Sequence, residues 1–262
     1  GNRDTLRSLH VGARCMDGES MSEKIPREMD PNVNARRMQI LPCRLDSVDD
    51  QWHMLAMCMS VTHWNGVRVV KSQADLRRYF EIIARCRPEV VVETGLQQGG
   101  SALFFMDVLA ALEVQALYVG IDLDCAQMDA RVRGYPYPHL ILRRDCLATE
   151  TVATVAAQLV GKERALLVLD SVHSEEHVVE ELRLYAPLVP PGGYLVVEDT
   201  DHGGNPVLGS YGPSAREAVE RFMAPGGNGE RLGFYRARDV EMLCGPWTCA
   251  PGGWLRRGTA TR

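Results

Sequence analysis

No stretch of this chain approaches the roughly 18 consecutive apolar residues that a membrane-spanning helix needs. The first residues lack the basic segment followed by an apolar one that marks a secretory leader, so the expected location is cytoplasmic. Basic runs are missing, and aromatic residues do not interleave with basic ones. With a net charge of −5, nucleic acid is not the expected partner. The eight cysteines (Cys15, Cys43, Cys58, Cys86, Cys125, Cys146, Cys244 and Cys249) form no C-x-x-C pair and no cluster with histidine along the sequence, which points to free thiols. The dinucleotide spacing G-x-G-x-x-G is also lacking, because position 97 is Gln.

What the chain does have is the stretch Val91-Val92-Glu93-Thr94-Gly95-Leu96-Gln97-Gln98-Gly99-Gly100-Ser101. An apolar strand there ends in an acid and runs through glycines into a helix, with Ser101 as its expected cap. Glycine lets backbone approach a ligand closely, and the first turn of a helix offers free N–H donors. A phosphate site would not place a carboxylate at the strand end. Glu93 suits a nucleoside that carries a positive charge and no phosphate, which describes S-adenosylmethionine (SAM). Thr94, Gly95, Gly99 and Ser101 join Glu93 as expected cofactor contacts.

Strand-like apolar runs occur at 89–93, 117–121, 139–142, 165–169 and 194–198. Helical stretches at 101–115, 149–160 and 174–188 separate them, and an amphipathic helix from Ala74 to Cys86 precedes them. The expectation is a Rossmann-like α/β fold, a mostly parallel sheet with helices on both faces. The runs Leu232–Arg236 and Val240–Cys244 read as a closing antiparallel hairpin, with Trp247 and Trp254 packed beside it. Residues 1–62 read as a polar arm followed by a Met-rich helix from Gln51 to Thr62, and residues 63–262 as the main domain.

Ligands in such sheets bind beyond the carboxyl ends of the strands. After the second run, Asp122 stands where ribose hydroxyls would be received. After the third, Asp145 stands where an adenine amino group would be. The fourth and fifth end in Asp170 and in Glu198-Asp199, so three carboxylates converge at one edge. Gathered acids repel, and a divalent cation compensates them most simply; oxygen ligands suit Mg²⁺.

The chain from about Trp64 to Phe222 resembles the cephalosporin hydroxylase-like family of class I SAM-dependent methyltransferases, which includes rhamnosyl O-methyltransferases. The motifs that carry the resemblance are Trp64-Asn65-Gly66 with Lys71, the glycine loop, Gly120-Ile121-Asp122-Leu123-Asp124, Leu169-Asp170-Ser171-Val172-His173, and Glu181 to Val189 running into Gly193 to Thr200. The resemblance implies SAM at Glu93, Gly95 and Asp122, Mg²⁺ at Asp170, Glu198 and Asp199, and a homo-oligomer. Related macrolide-sugar enzymes carry a second acid two positions after the first metal aspartate. Here Val172 takes that place, which leaves His173 and His202 as the candidate proton acceptors.

The expected reaction is methyl transfer to a hydroxyl of a deoxysugar such as rhamnose in antibiotic or other secondary metabolism. A hydroxylated cephem nucleus is the alternative acceptor. An NAD-dependent oxidoreductase would need the missing glycine spacing, and a non-catalytic binding protein would not need the metal acids.

Overall fold

Residues 61–201, 212–245 and 247–259 are described by the computed structural model. Seven strands form the central sheet: β3 (Val90–Thr94), β4 (Leu117–Asp122), β5 (His139–Arg143), β6 (Ala165–Leu169), β7 (Tyr194–Val197), β8 (Phe234–Arg236) and β9 (Trp254–Arg257), in the order β5-β4-β3-β6-β7-β9-β8. Strands β3 to β7 pair in parallel, and β9 runs antiparallel to both β7 and β8. The central strands β3 and β6 are buried along their whole length, as continuous Val/Leu runs covered on both faces should be.

One face packs against α1 (Gln73–Cys86) and α2 (Gly100–Ala111), with Tyr79, Phe105, Tyr118 and Trp254 in its core. The other packs against α4 (Thr149–Leu159), α5 (Glu175–Tyr185) and α6 (Ala215–Met223), around Val155, Leu167, Tyr185 and Phe222. The single turn α3 (Ala130–Arg133) lies between β4 and β5. Strand order reverses between β3 and β6, so the gap beyond their carboxyl ends is the switch point at which such sheets bind ligands.

A separate two-stranded sheet, β1 (Val61–Trp64) and β2 (Val67–Val70), lies outside the central one. Asn65 and Gly66 take positive φ of 49° and 77°, the pairing that a tight I′ hairpin requires. Asp107 of α2 pins this hairpin, accepting from Trp64 Nε1 at 2.5 Å and Asn65 Nδ2 at 2.7 Å. The expected helix from Gln51 lies outside the described residues except its end, where Val61 and Thr62 are strand instead.

Two further expectations change. The N-cap of α2 is Gly99, not Ser101, with φ of 81° and no side-chain cap; a Cβ there would lie 2.6 Å from Val132. By contrast, Ser174 does cap α5, accepting from His177 N. In the closing hairpin, Val240–Cys244 is not the second strand. Residues Arg238–Glu241 form the turn α7, and the strand that pairs with β8 is β9. The cause is the fully buried Arg78, whose guanidinium needs carbonyl acceptors. The chain after β8 curls to supply those of Glu241, Gly245 and Trp247 at 2.7–2.9 Å. Asp75 closes the same network through Arg78, Thr248 and the Cys249 amide. Trp254 is buried with its Nε1 on Thr248, whereas Trp247 is 46% exposed and packs less than expected.

Candidate active site

The β3 loop and the β6 loop touch at the switch point. Gly95 has φ of 80°, and a Cβ on it would lie 1.9 Å from the Asp170 carbonyl oxygen. Here glycine is needed to let two loops meet, and the meeting creates two adjoining clefts.

The first cleft, about 200 Å³, is lined by Arg68 to Lys71, Gly95, Gln97, Ser101, Asp170, His173 and Asp199. Lys71 Nζ forms its floor, 2.6 Å from Asp170, 3.2 Å from Glu198 and 3.4 Å from Glu93. Burial draws the Lys71 pKa down, but Asp170, Glu198 and Glu93 outweigh it and hold the value well above that of a free lysine. Burial pushes the Glu198 carboxyl up to about 7 even though Lys71 opposes the rise. Burial likewise raises Asp170 well above the ordinary carboxylate range, against the pull of Lys71.

Two buried carboxylates, Glu93 and Glu198, and the partly exposed Asp170 therefore share one ammonium. Asp199 lies beside them at φ of 55°, with Oδ2 3.1 Å from His173 Nε2. Ligand atoms of Asp170, His173 and Asp199 all lie within 4.8 Å of one another. Glu198 is turned inward, accepting from the Tyr79 hydroxyl and Lys71. Of the three expected metal acids, the cleft thus presents Asp170 and Asp199, with Glu198 behind them.

Glu93 and Thr94 are wholly buried and line neither cleft. Glu93 Oε2 accepts from Tyr118 at 2.5 Å, and Oε1 has no hydrogen bond. Gly99 packs on Val132, while Ser101 reaches the first cleft. Arg68 lines that cleft too, and its buried Nε lacks a hydrogen-bond partner.

The second cleft, about 250 Å³, is lined by Gly95, Gln97, Ile121 to Leu123, Arg144 to Cys146, Asp170 to Val172 and His177. Asp122 Oδ2 accepts from the Leu96 and Gln97 amides at 2.7 and 2.9 Å, and Oδ1 from the Asp124 amide at 2.8 Å. Its carboxylate thus shapes the glycine loop and also borders the cleft. Asp145 borders it as well, accepting from the Leu147 amide. Leu123, 72% exposed, and Val172, 50% exposed, supply apolar walls of a kind that a flat purine can cover. His202 lies outside the described residues.

Sequence reading gave Lys71 only as part of a motif and gave no role to Arg68 or Tyr79. One usable signal was there: Asn65-Gly66 between alternating apolar residues marks a hairpin, and that hairpin carries Arg68 and leads directly to Lys71.

A parallel sheet with one reversed strand near its edge, and with paired clefts beyond β3 and β6, is the architecture of class I SAM-dependent methyltransferases. The chain belongs to the Rhamnosyl O-methyltransferase/CmcI family, whose profile matches residues 56–258. It is 30% identical over 210 residues to the rhamnosyl O-methyltransferases of Mycobacterium bovis and Mycobacterium tuberculosis, covering 79% of this chain and 82% of theirs. The Mycobacterium leprae rhamnosyl O-methyltransferase is 30% identical over 182 residues, covering 68% and 78%. Among solved structures, CmcI described with Mg and SAM superposes with a TM-score of 0.56 at 20% identity, over 90% of this chain and 88% of that one. CmcI with SAH gives 0.54 at 17% identity, over 93% and 98%. At these identities the structures bear on the fold alone.

Proposed function

We propose that this enzyme is a Mg²⁺-dependent O-methyltransferase of a deoxysugar hydroxyl, with a rhamnose-like acceptor, in antibiotic or related secondary-metabolite biosynthesis. The observation that carries the cation is Lys71. One ammonium faces three carboxyl groups, those of Glu93, Asp170 and Glu198, and the raised Asp170 and Glu198 values mean that Lys71 alone does not offset the cost of ionising them, which a bound cation would. Asp170 and Asp199 open into the same cleft, and two carboxylates plus water and substrate oxygens are a donor set that suits Mg²⁺. Support for a sugar acceptor comes from the mycobacterial relatives, which are named rhamnosyl O-methyltransferases.

When bound, SAM supplies the methyl group, and a divalent cation lowers the pKa of the acceptor hydroxyl and fixes its direction. This chain's residues do the rest. Asp122, Asp145, Leu123 and Val172 hold the nucleoside in the second cleft. Gly95, Gln97 and Ser101 would hold the methionine portion at the first cleft, with the Arg68 guanidinium available to offset its carboxylate charge. Glu93 and Thr94 act from beneath, Glu93 by holding Lys71. Asp170 and Asp199 would hold the cation, while Glu198 fixes Lys71 and Tyr79 behind them. His173 takes the acceptor proton, with its imidazole oriented by Asp199. The catalytic domain includes the β1–β2 hairpin from Val61 onward, so it begins two residues before the expected boundary, and the residues before it serve as a homo-oligomer contact or as a cover for the active site.

Calorimetric titration with SAM, with and without Mg²⁺ and a panel of rhamnosyl nucleotides, tests the reading. Saturable SAM binding, with acceptor binding that requires Mg²⁺, is expected. A folded sample that binds no SAM would overturn it. Light scattering at the mass of a single chain would remove the oligomer.

A further inference from the structure

On the far side of the second cleft from Asp199, four polar side chains from separate parts of the sequence meet. Cys146 follows β5, Ser171 follows β6, and His177 and Glu181 lie one turn apart on α5. His177 Nε2 is 2.9 Å from Ser171 Oγ, 3.5 Å from Cys146 Sγ and 3.9 Å from Glu181 Oε2. Glu181 is 1% exposed. Its Oε1 accepts from the Thr94 hydroxyl at 2.8 Å, and its Oε2 has no hydrogen bond. Among the described residues no lysine or arginine forms an ion pair with Glu181. A buried carboxylate oxygen without a well-formed hydrogen bond is costly, and the groups around this one are a hydroxyl, a thiol and an imidazole.

A serine-histidine-acid relay does not fit, because hydroxyl and carboxylate would have to sit on opposite ring nitrogens, and here both approach Nε2. A metal fits better. Sγ of Cys146, Nε2 of His177 and a carboxylate oxygen of Glu181 lie within 4.8 Å of one another. A tetrahedral zinc ion, with bonds of about 2.3 Å to sulfur and about 2.0 Å to nitrogen, separates those two ligands by roughly 3.5 Å. That is the separation of Cys146 Sγ and His177 Nε2.

We infer that Cys146, His177 and Glu181 form a second metal site, selective for Zn²⁺ or a similar borderline cation, with its fourth position facing Ser171 and the second cleft. The sulfur and nitrogen donors disfavour Mg²⁺ and Ca²⁺, which separates this site from the oxygen pair Asp170 and Asp199. Binding releases the Cys146 thiol proton to water as the thiolate takes the ion. Cys146, Ser171 and His177 all line the second cleft, so an ion seated there narrows it. On the reading of that cleft as the nucleoside site, zinc and S-adenosylhomocysteine exclude one another.

The test is titration of the chelator-stripped full-length chain with Co²⁺, a spectroscopic stand-in for zinc, followed by absorption. One Co²⁺ per chain with a near-ultraviolet thiolate-to-cobalt band is expected, displaced by Zn²⁺. The band should vanish in Cys146→Ala, form at least tenfold more weakly in His177→Gln, and persist in Asp199→Asn. Should Cys146→Ala not fold, His177→Gln decides the matter. No band in the folded wild type, or an unchanged band and midpoint in Cys146→Ala or in His177→Gln, would overturn the site. With S-adenosylhomocysteine present, the Co²⁺ midpoint should rise. A band that forms at an unchanged midpoint would leave the metal site standing and overturn the mutual exclusion.

Discussion

The two clefts on either side of Gly95 handle negative charge in opposite ways. In the second cleft, Asp122 is satisfied by three backbone amides at 2.7–2.9 Å, at the partly exposed end of β4. On the other side, Glu93, Asp170 and Glu198 crowd around the buried Lys71. Amide dipoles fix a loop and leave the net charge in place, whereas a shared ammonium under-compensates and leaves the site ready for more positive charge. The first arrangement is built for shape and the second for electrostatics.

The sharpest way to break the contrast is Lys71→Met. It strands buried carboxylates without their counter-ion, and a loss of about 3–5 kcal/mol in urea unfolding is expected. A loss below about 1 kcal/mol would mean that the acids are not held by Lys71. Next comes Asp170→Asn, which should lower methyl transfer by about 10²–10³-fold through lost cation binding while SAM affinity changes little, as single-turnover rates and calorimetry would show.

Glu181 sharpens the comparison from the side of the second cleft through pH. Burial raises its carboxyl from 4.5 to about 7. Between those values the folded chain keeps a proton that the unfolded chain has lost, so stability is highest below about 4.5 and falls until about 7. Chelator-treated wild type should lose roughly 2–3 kcal/mol relative to Glu181→Gln across that window, seen as converging or crossing melting curves. Parallel curves would remove the buried acid from the account. The smallest effect is expected of Asp122→Asn, which keeps one acceptor oxygen for the loop amides. SAM binding should weaken about tenfold, near 1.4 kcal/mol, with little change in melting temperature.

Strands β3 to β7 were legible in the sequence because each is a short apolar run that stops at a polar or glycine residue. Asp122, Asp145, Asp170 and Asp199 followed from the rule that places chemistry at strand ends, and the structure brings all four to the two clefts. Glu93 obeyed the same rule but faces inward, because the period-2 alternation of a central strand gives no warning of which buried face will carry a charge. Lys71 was hidden for a related reason: a lysine after a short strand normally faces water, and only the tertiary approach of Glu93, Asp170 and Glu198 holds it at 2% exposure. Glu181 reads as a solvated helix residue until Thr94, at the end of β3, reaches it. The Val240–Cys244 strand failed because the acceptor needs of Arg78, some 160 positions earlier, overrode local β propensity.

The central claim, a divalent cation held at the acidic edge, is tested most directly by titrating the purified, chelator-stripped chain with Mn²⁺ and following free ion by electron paramagnetic resonance. The account predicts saturable binding at that edge, weakened at least tenfold in Asp170→Asn and displaced by Mg²⁺. Binding that is indifferent to Asp170→Asn, or no binding by folded wild type, would contradict it and leave Lys71 as the cluster's own sufficient cation.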